Sequence, residues 1–216
     1  MKYFVSLAIV LLSFVSLSAQ DKTVDDIIVD ADKAVEAKNY TGALSLYEKA
    51  MAKGGLGESE GKVYFNAAHC ARKSKKYDKA VKYYSKSEKL NYKADMSSYY
   101  VAYSYKELGQ GDKEEQTLVN AITKYSKSKY INHMKKMLVT YYLAEGSVPF
   151  NEGNNILGSE TPMTDEALVE LYDKANVKFK EAKVWFEKAK KYAPTDEKVL
   201  TTLKEIETNL SKGSSN

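Results

Sequence analysis

Few residues in this chain have the types and the spacing that catalysis requires. The two histidines, His69 and His133, stand far apart, with no glycine-rich phosphate loop, no paired cysteines and no acidic cluster at metal-ligand spacing. A catalytic nucleophile needs a nearby base and a third group that orients the base. The sequence therefore predicts that the protein is not an enzyme, and that it has no catalytic residue, no cofactor and no metal site.

Cys70 is the sole cysteine of the chain, so no internal disulfide can form. It stands in a run of small apolar residues with Ala67, Ala68 and Ala71. A cysteine in such a run more often fills the core than reacts, and we expect Cys70 to be buried.

Basic residues are concentrated in one segment, where ten basic and two acidic residues stand between Lys62 and Lys93. The part from Lys73 to Lys93 also contains several of the 18 tyrosines. Such a segment indicates a solvated helix face, a surface for anionic lipid or polysaccharide of the cell envelope, or a nucleic-acid patch. The pattern of residues 1–19 indicates export from the cytoplasm, which argues against a nucleic-acid partner. An anionic envelope surface therefore stays a candidate partner.

The N-terminus, residues 1–19, has the pattern of a secretory signal peptide. Met1 and Lys2 precede an apolar run, Tyr3–Leu17, and the small residues Ser18 and Ala19 follow it. The alternative is an uncleaved membrane anchor, but a run of about 15 residues is short for a hydrocarbon core of roughly 30 Å. We expect cleavage after Ala19, no transmembrane segment in the mature chain, and a location in the periplasm or at the cell envelope or surface.

The main internal repeat is an aromatic residue, then alanine three positions later, then a second aromatic four positions after that. Residues at these spacings share one stripe of a helix, and alternation of small and large side chains lets a neighbouring helix approach closely. Three copies occur, at Tyr40, Ala43 and Tyr47, at Tyr77, Ala80 and Tyr84, and at Phe179, Ala182 and Phe186. The sequence thus predicts antiparallel helix pairs joined by short turns.

This pattern resembles the tetratricopeptide repeat family, whose units are helix–turn–helix pairs of about 34 residues. The resemblance covers residues 25–210, and the copy that begins at Phe179 and closes at Pro194 is its most specific part. In a degenerate unit between the second and third copies, Glu114 or Gln116 replaces the central alanine, so we expect looser packing there. The resemblance implies an all-α fold, a tetratricopeptide-type repeat array (α-solenoid) with a C-terminal capping helix.

The predicted organisation is a signal peptide at 1–19 and a helical repeat domain at 20–210. Glycines and a proline, including Gly146, Pro149 and Gly153, predict an insertion at 146–163 that interrupts the last unit. The units are 24–53, 61–93, 95–126 and 130–193, followed by a capping helix at 196–210 and a disordered tail at 211–216.

In tetratricopeptide repeat proteins the first helices of the units line a concave groove, so the resemblance implies a binding site there. The residues assigned to it are Phe65, His69, Arg72, Lys73, Tyr99, Tyr103 and Lys106. Aromatic rings and cations together suit an extended peptide that carries acidic groups or a C-terminal carboxylate. Alternatively, the tyrosines only pack against neighbouring helices.

One subtype of the family captures C-terminal carboxylates with a clamp of lysine, asparagine and arginine side chains. Only Asn66 stands at a matching position, and Asp32, at another, would repel a carboxylate. The chaperone-tail ligand of that subtype is therefore not expected.

The sequence as a whole predicts a non-catalytic adaptor of the bacterial cell envelope that binds a protein or peptide in its groove. The alternative is a structural assembly subunit that associates through the long C-terminal helix and the basic face, without a free peptide ligand. No motif in the sequence names the partner.

Overall fold

The computed structural model describes residues 22–159, 161–162 and 164–213. The predicted signal peptide lies outside the described residues. Within them the chain is helical, without any strand. The helices are α1 (Val24–Glu36), α2 (Tyr40–Lys53), α3 (Glu60–Lys73), α4 (Tyr77–Lys89), α5 (Ala94–Glu107), α6 (Gly111–Lys124), α7 (Ile131–Ser159), α8 (Asp165–Tyr192) and α9 (Glu197–Gly213).

Each helix packs against the next one along the chain, from α1 on α2 to α8 on α9. Four successive pairs result, α1–α2, α3–α4, α5–α6 and α7–α8, with α9 at the end. The described part is therefore an all-α repeat array with a terminal helix, and the predicted fold class is confirmed.

The turns inside the first three pairs share one backbone hydrogen-bond pattern. Each contains a residue with positive φ, which is 58° at Lys38 and at Lys75 and 66° at Gly109. The N–H of the following residue donates to a carbonyl five positions back, as Asn39 does to Ala34 at 2.9 Å. This bond closes a helix on a left-handed residue, so the three turns are equivalent although their sequences differ.

The small and aromatic residues of the repeat pattern form the interior of the pairs. The fully buried members are Ala43, Tyr47, Ala80, Tyr84, Phe179, Ala182 and Phe186. The third pair departs from the pattern, because Leu118 takes the place of the second aromatic residue and Glu114 that of the alanine.

Cys70 is fully buried in α3, as the sequence predicts. Burial raises the pKa of its thiol to about 12. Such a thiol stays protonated at neutral pH and reacts slowly, so Cys70 is a packing residue.

The buried apolar residues form two clusters that meet in α5. The N-terminal cluster extends from Ala31 to Val101. The C-terminal cluster extends from Ala102 to Ile206. The neighbouring residues Val101 and Ala102 therefore pack into different cores, and α5 joins the two halves of the array.

The last pair differs from the prediction of an insertion at 146–163. Helix α7 continues without a break to Ser159, so the segment predicted to interrupt the unit is an extension of its first helix. Gly146, Pro149 and Gly153 are all buried within this helix. They are spaced by three and four residues and so share one stripe of α7.

Close packing of α7 on α8 explains why these residues do not end the helix. A Cβ atom on Gly146 would lie 2.9 Å from the ring of Phe186, and one on Gly153 would lie 2.8 Å from the ring of Phe179. The absence of a side chain lets the two backbones approach. Burial along the most extensive helix–helix contact of the described residues offsets the N–H that Pro149 lacks.

Helix α9 covers the end of the array. Val199, Leu203 and Ile206 are buried in the C-terminal cluster. The helix extends to Gly213, so the predicted disorder is wrong for residues 211–213, while 214–216 lie outside the described residues.

None of the helices in the described ranges combines the length and the apolar character needed to cross a membrane.

Candidate functional site

Side chains from α3, from α5, from the residue that precedes α7 and from the first turn of α7 form a continuous surface, which we call the first-helix face. Its members are Arg72, Tyr99, Tyr100, Tyr103, Tyr130 and His133. Guanidinium–ring contacts join α3 to α5, and ring–ring contacts join α5 to α7. Each second helix returns the chain to the side of the array on which the pair began. Successive first helices therefore lie side by side and share this face.

The guanidinium of Arg72 is the cationic centre of this face. Its Cζ atom lies 4.4 Å from the ring centroid of Tyr100 and 5.7 Å from that of Tyr103. A guanidinium stacks favourably on aromatic rings and keeps its charge at all physiological pH values. Among the described residues no carboxylate forms a salt bridge with Arg72, and its guanidinium interacts with the buried hydroxyl of Tyr84.

His69 and Lys73 lie at one edge of the face, against Tyr40 of α2. The His69 and Tyr40 rings meet edge-on with centroids 5.9 Å apart, and Lys73 Nζ lies 6.0 Å from the Tyr40 centroid. Burial lowers the pKa of His69, and the charges of Arg72 and Lys73 lower it further. His69 is therefore neutral at pH 7, and the positive charge of the face comes from arginine and lysine.

Tyr99 extends the face from α5 to α7. Its ring is nearly parallel to that of Tyr130 at 5.8 Å and lies 6.2 Å from that of His133. Burial raises the pKa of Tyr99 and of Tyr103, and the Glu107 carboxylate adds to the effect at Tyr103. Both hydroxyl groups stay protonated at neutral pH. That of Tyr103 donates to Glu107, and that of Tyr99 is available to donate to a ligand.

Phe65 does not lie on this face, contrary to the prediction. Its side chain is 5% exposed. Its ring meets those of Tyr84 and Tyr92 edge-on at 5.4 and 5.8 Å, and Lys93 Nζ lies 4.6 Å from its centroid. The turn between α4 and α5 brings Tyr92 and Lys93 over the ring, a tertiary contact that helical spacing cannot reveal. Phe65 is a core residue.

Apart from Phe65, the predicted site residues divide into three groups. Arg72, Tyr99 and Tyr103 lie together, and His69 and Lys73 lie at their edge. Lys106 is exposed and lines a separate cleft with Glu114 and Tyr141.

Sequence reasoning missed Tyr100, Tyr130 and His133. Tyr100 stacks on Tyr84 at 5.2 Å between their centroids, and only the position of Arg72 above it gives it a place in the site. Tyr130 and His133 are three residues apart, which is one helical turn, and that spacing was the available signal. In the sequence His133 lacks companions for catalysis, and this gives no reason to assign it to a binding face.

Asp32 and Asn66, the two residues compared with a carboxylate clamp, bind each other. The Tyr47 hydroxyl donates to Asp32, and Asn66 Nδ2 donates to Asp32 at 3.4 Å and to the Tyr47 hydroxyl at 3.2 Å. Lys62 Nζ lies 3.4 Å from the same carboxylate. The network occupies Asn66 and partly compensates the charge of Asp32.

Many lysines of the basic segment make contacts within the array. Lys79 pairs with Glu48 of α2 at 2.6 Å and Lys86 with Glu60 of α3 at 3.4 Å, so these two lysines of α4 are compensated by acidic residues of the preceding helices. The segment also carries lysine–tyrosine contacts, such as Lys86 near Tyr64 at 5.6 Å. An anionic envelope surface as partner of Lys73–Lys93 stays a prediction.

No group of three or more histidine, cysteine, aspartate or glutamate side chains within the described ranges could hold a metal ion. The chemistry that this part of the chain displays on the first-helix face is that of recognition, through one guanidinium, several hydroxyls and ring surfaces.

No protein-family model matches the chain, and no curated protein matches it. Several solved structures are similar to the chain. A tetratricopeptide repeat protein from Bacteroides fragilis is similar with a TM-score of 0.56 and 18% sequence identity, over 86% of this chain and 98% of that one. This likeness concerns the fold.

Two further structures have lower TM-scores. A tetratricopeptide repeat protein from Parabacteroides merdae gives 0.49 at 16% identity, over 88% of this chain and 74% of that one. YrrB, described as a tetratricopeptide repeat protein with an unusual peptide-binding site, gives 0.46 at 16% identity, over 84% and 92% of the two chains.

Proposed function

We propose that this chain, which has the tetratricopeptide repeat fold, is a non-catalytic protein that binds a peptide or protein on the first-helix face. The observation that carries the proposal is the guanidinium of Arg72, held against Tyr100 and Tyr103 with no carboxylate partner in the described part of the chain. A half-buried cation without a counter-ion is well suited to a ligand carboxylate.

The ligand class follows from the groups beside Arg72. The protonated hydroxyl of Tyr99 can donate to carboxylate or peptide carbonyl oxygens, and the rings of Tyr99 and Tyr103 supply contact area at low entropy cost. His69 is neutral and adds no charge. An extended segment with an acidic side chain or a free C-terminal carboxylate is the ligand that these groups favour.

The test compares two peptide libraries of matched length and sequence. One has acidic residues and free C-terminal carboxylates, and in the other every carboxylate is replaced by the corresponding amide. We expect the full chain to select from the first library. The double variant Arg72→Gln, Tyr103→Ala should lose binding by at least about tenfold, which corresponds to 1.4 kcal/mol. Phe65 is left unchanged because it belongs to the core.

Two controls complete this experiment. Lys198→Gln, on the exposed surface of α9, should bind as the unmodified chain does, and circular dichroism should show that the double variant stays folded. Unchanged binding by a folded double variant, or equal selection from both libraries, would refute the assignment of the first-helix face.

The proposal includes an adaptor role outside the cytoplasm, in the periplasm or at the cell envelope or surface. It rests on the signal-like pattern of residues 1–19. Cell fractionation with N-terminal sequencing checks it, with a mature chain that starts at Gln20 as the expected result. A full-length cytoplasmic chain would contradict it.

One observation favours the alternative of a structural assembly subunit. Val177 and Val184 of α8 are 64% and 58% exposed. They are two helical turns apart and share a stripe, which is a surface that a second copy could cover. Analytical ultracentrifugation discriminates, because an oligomer that Val177→Asp with Val184→Asp dissociates supports assembly, and a concentration-independent monomer excludes it.

A further inference from the structure

Beside the first-helix face, a cleft of about 270 Å³ lies between the α5–α6 turn and α7. Its lining is Lys106, Gly109, Gly111, Glu114, Thr140, Tyr141, Ala144 and Glu145. A second cleft of about 430 Å³ shares Tyr141 and Glu145 with it and continues past Asp112. The space accommodates one long side chain rather than a large ligand.

Glu114 is the unusual member of this lining. Its side chain is 4% exposed. Other pairs of the array bury an alanine at the equivalent position, at Ala43, Ala80 and Ala182. Across the described residues the Glu114 carboxylate makes no salt bridge and no hydrogen bond to a side chain. The carboxylate oxygens are not fully buried, because they open onto the cleft. A nearly enclosed carboxylate without a partner is available there to a cationic ligand group.

The charges around the cleft are predominantly negative. Burial raises the pKa of Tyr141 to about 12, and four carboxylates contribute, those of Glu145, Glu115, Asp112 and Glu114. Among these, Glu115 is compensated, because Lys188 Nζ lies 3.0 Å from it.

The nearby lysines do not neutralise the rest. Lys113 donates to Gln110 at 2.9 Å and lies 5.6 Å from the ring centroid of Tyr105. Lys106 stands at the exposed rim of the cleft, and no salt bridge joins it to Glu114 in the described part of the chain. Glu114, Glu145 and Asp112 thus leave an excess of negative charge beside an aromatic ring.

We propose that this cleft binds the cationic end of a lysine or arginine side chain of a partner protein, with Glu114 as its counter-ion and Tyr141 as its aromatic contact. A buried carboxylate gives a strong charge-assisted hydrogen bond to an ammonium or guanidinium group. The Tyr141 ring adds a cation–π contact. The site is distinct from the first-helix face, where the cation belongs to this chain and the expected ligand group is a carboxylate.

The electrostatics of the cleft support this assignment. Burial raises the pKa of Glu114 to about 7, and Lys106 only partly opposes the shift. The other charged or titratable groups around it are Asp112, Lys113 and Glu115 of α6, Tyr141 and Glu145 of α7, and Lys188 of α8. A bound cation lowers the pKa of Glu114, so binding should release a proton and weaken as the pH falls below about 7.

The experiment uses the full chain and two probes, Nα-acetyl-L-arginine methylamide and its uncharged isostere Nα-acetyl-L-citrulline methylamide. Binding is followed through the ¹³C-labelled side-chain carboxyl of Glu114, whose NMR signal is assigned by its loss in Glu114→Gln. We expect the arginine probe to bind at least about tenfold more tightly than the citrulline probe at neutral pH, and to lower the pKa of Glu114.

Matched variants separate this site from the rest of the molecule. Glu114→Gln should lose about tenfold in affinity for the arginine probe, measured by the shifts of cleft backbone amides, with a melting temperature no lower than that of the unmodified chain. Glu205→Gln, an exposed carboxylate of α9, should bind normally. Lys106→Gln should bind more tightly because a competing cation is removed.

Arg72→Gln should leave this cleft unaffected, so a failure here is distinguishable from a failure of the first-helix face. Three results would overturn the proposal. They are equal affinity for the two probes, equal affinity of Glu114→Gln and the unmodified chain, and no shift at Glu114 up to the solubility limit of the arginine probe.

Discussion

Burial of Glu114 couples the stability of the third pair to pH. Its pKa rises from 4.5 to about 7, so the folded state holds the proton more tightly than the unfolded state does. Between these two values the folded chain binds more protons, and the contribution of this group to the free energy of unfolding falls as the pH rises. At higher pH the buried carboxylate is charged and destabilises the fold.

Glu114→Gln removes this ionisation. When the pH is raised from 5 to 8, the free energy of unfolding of the variant is expected to increase by about 1–3 kcal/mol relative to that of the unmodified chain. Urea unfolding at the two pH values gives the difference. Glu205→Gln is the control and should show no such change. If the Glu114 variant follows the unmodified chain at both pH values, the carboxylate is not buried in solution.

The alanines of the repeat pattern are expected to tolerate no larger residue. Ala80 and Ala182 have no exposed surface, so leucine at either position overpacks the contact between neighbouring helices. Ala80→Leu and Ala182→Leu should each lower the free energy of unfolding by about 1–3 kcal/mol in urea titrations. Ala52→Leu, at an exposed position of α2, should be nearly neutral. Neutral results at both buried sites would contradict the stacked pairs.

At the scale of the element, α7 depends on its two buried glycines. Gly153→Ala places a methyl group 2.8 Å from the Phe179 ring, which must shift, and a loss of about 1–3 kcal/mol in unfolding free energy is expected. Gly158→Ala is the matched control in the same helix, since nothing lies within 4 Å of its Cβ. It should gain up to about 1 kcal/mol from helix propensity. Equal effects would mean that the two helices are not in close contact.

The helices and their pairing were accessible from sequence because the spacing of Ala43 and Tyr47, and of Ala182 and Phe186, is the spacing of a packed stripe. The course of α7 was not, because glycine and proline are read locally as helix breakers. Their effect is overridden by burial against α8, a contact between residues distant in sequence. The spacing of Gly146, Pro149 and Gly153 was nevertheless helical, and it is the signal that deserved more weight than residue type.

The difference between local spacing and contacts distant in sequence also explains which residues of the candidate site could be predicted. The resemblance to the tetratricopeptide repeat family placed Arg72 and Tyr103 on a common face because both belong to first helices. It failed for Phe65, since the chain at Tyr92 and Lys93 covers that ring from another element. Glu114 was recognised as a departure from the repeat, but only the folded chain shows that it lines a cleft.

For the molecule as a whole, the two apolar clusters predict that the halves of the array respond separately to mutation. Phe186→Ala should cost roughly 3–5 kcal/mol in the C-terminal cluster. Because stability in a repeat array comes from neighbouring contacts, the loss of amide hydrogen-exchange protection should concentrate in α7, α8 and α9 and be small in α1 to α3.

Tyr84→Ala is the counterpart of this variant in the N-terminal cluster, and it should reverse the pattern. A uniform loss of protection over the whole chain in both variants would show that the array unfolds as a single cooperative unit. The energetic coupling of the two clusters through α5, where Val101 and Ala102 face different clusters, would then be strong enough to make them unfold together.

The burial of Cys70 has a practical consequence for measuring the shape of the array. A thiol that stays protonated inside α3 is inert to maleimide reagents, so the native chain can be labelled as if it contained no cysteine. Exposed lysines near opposite ends, such as Lys49 in α2 and Lys198 in α9, can be replaced by cysteine and carry a donor and an acceptor dye. Energy transfer between the dyes would then report any change in the curvature of the array when a ligand binds.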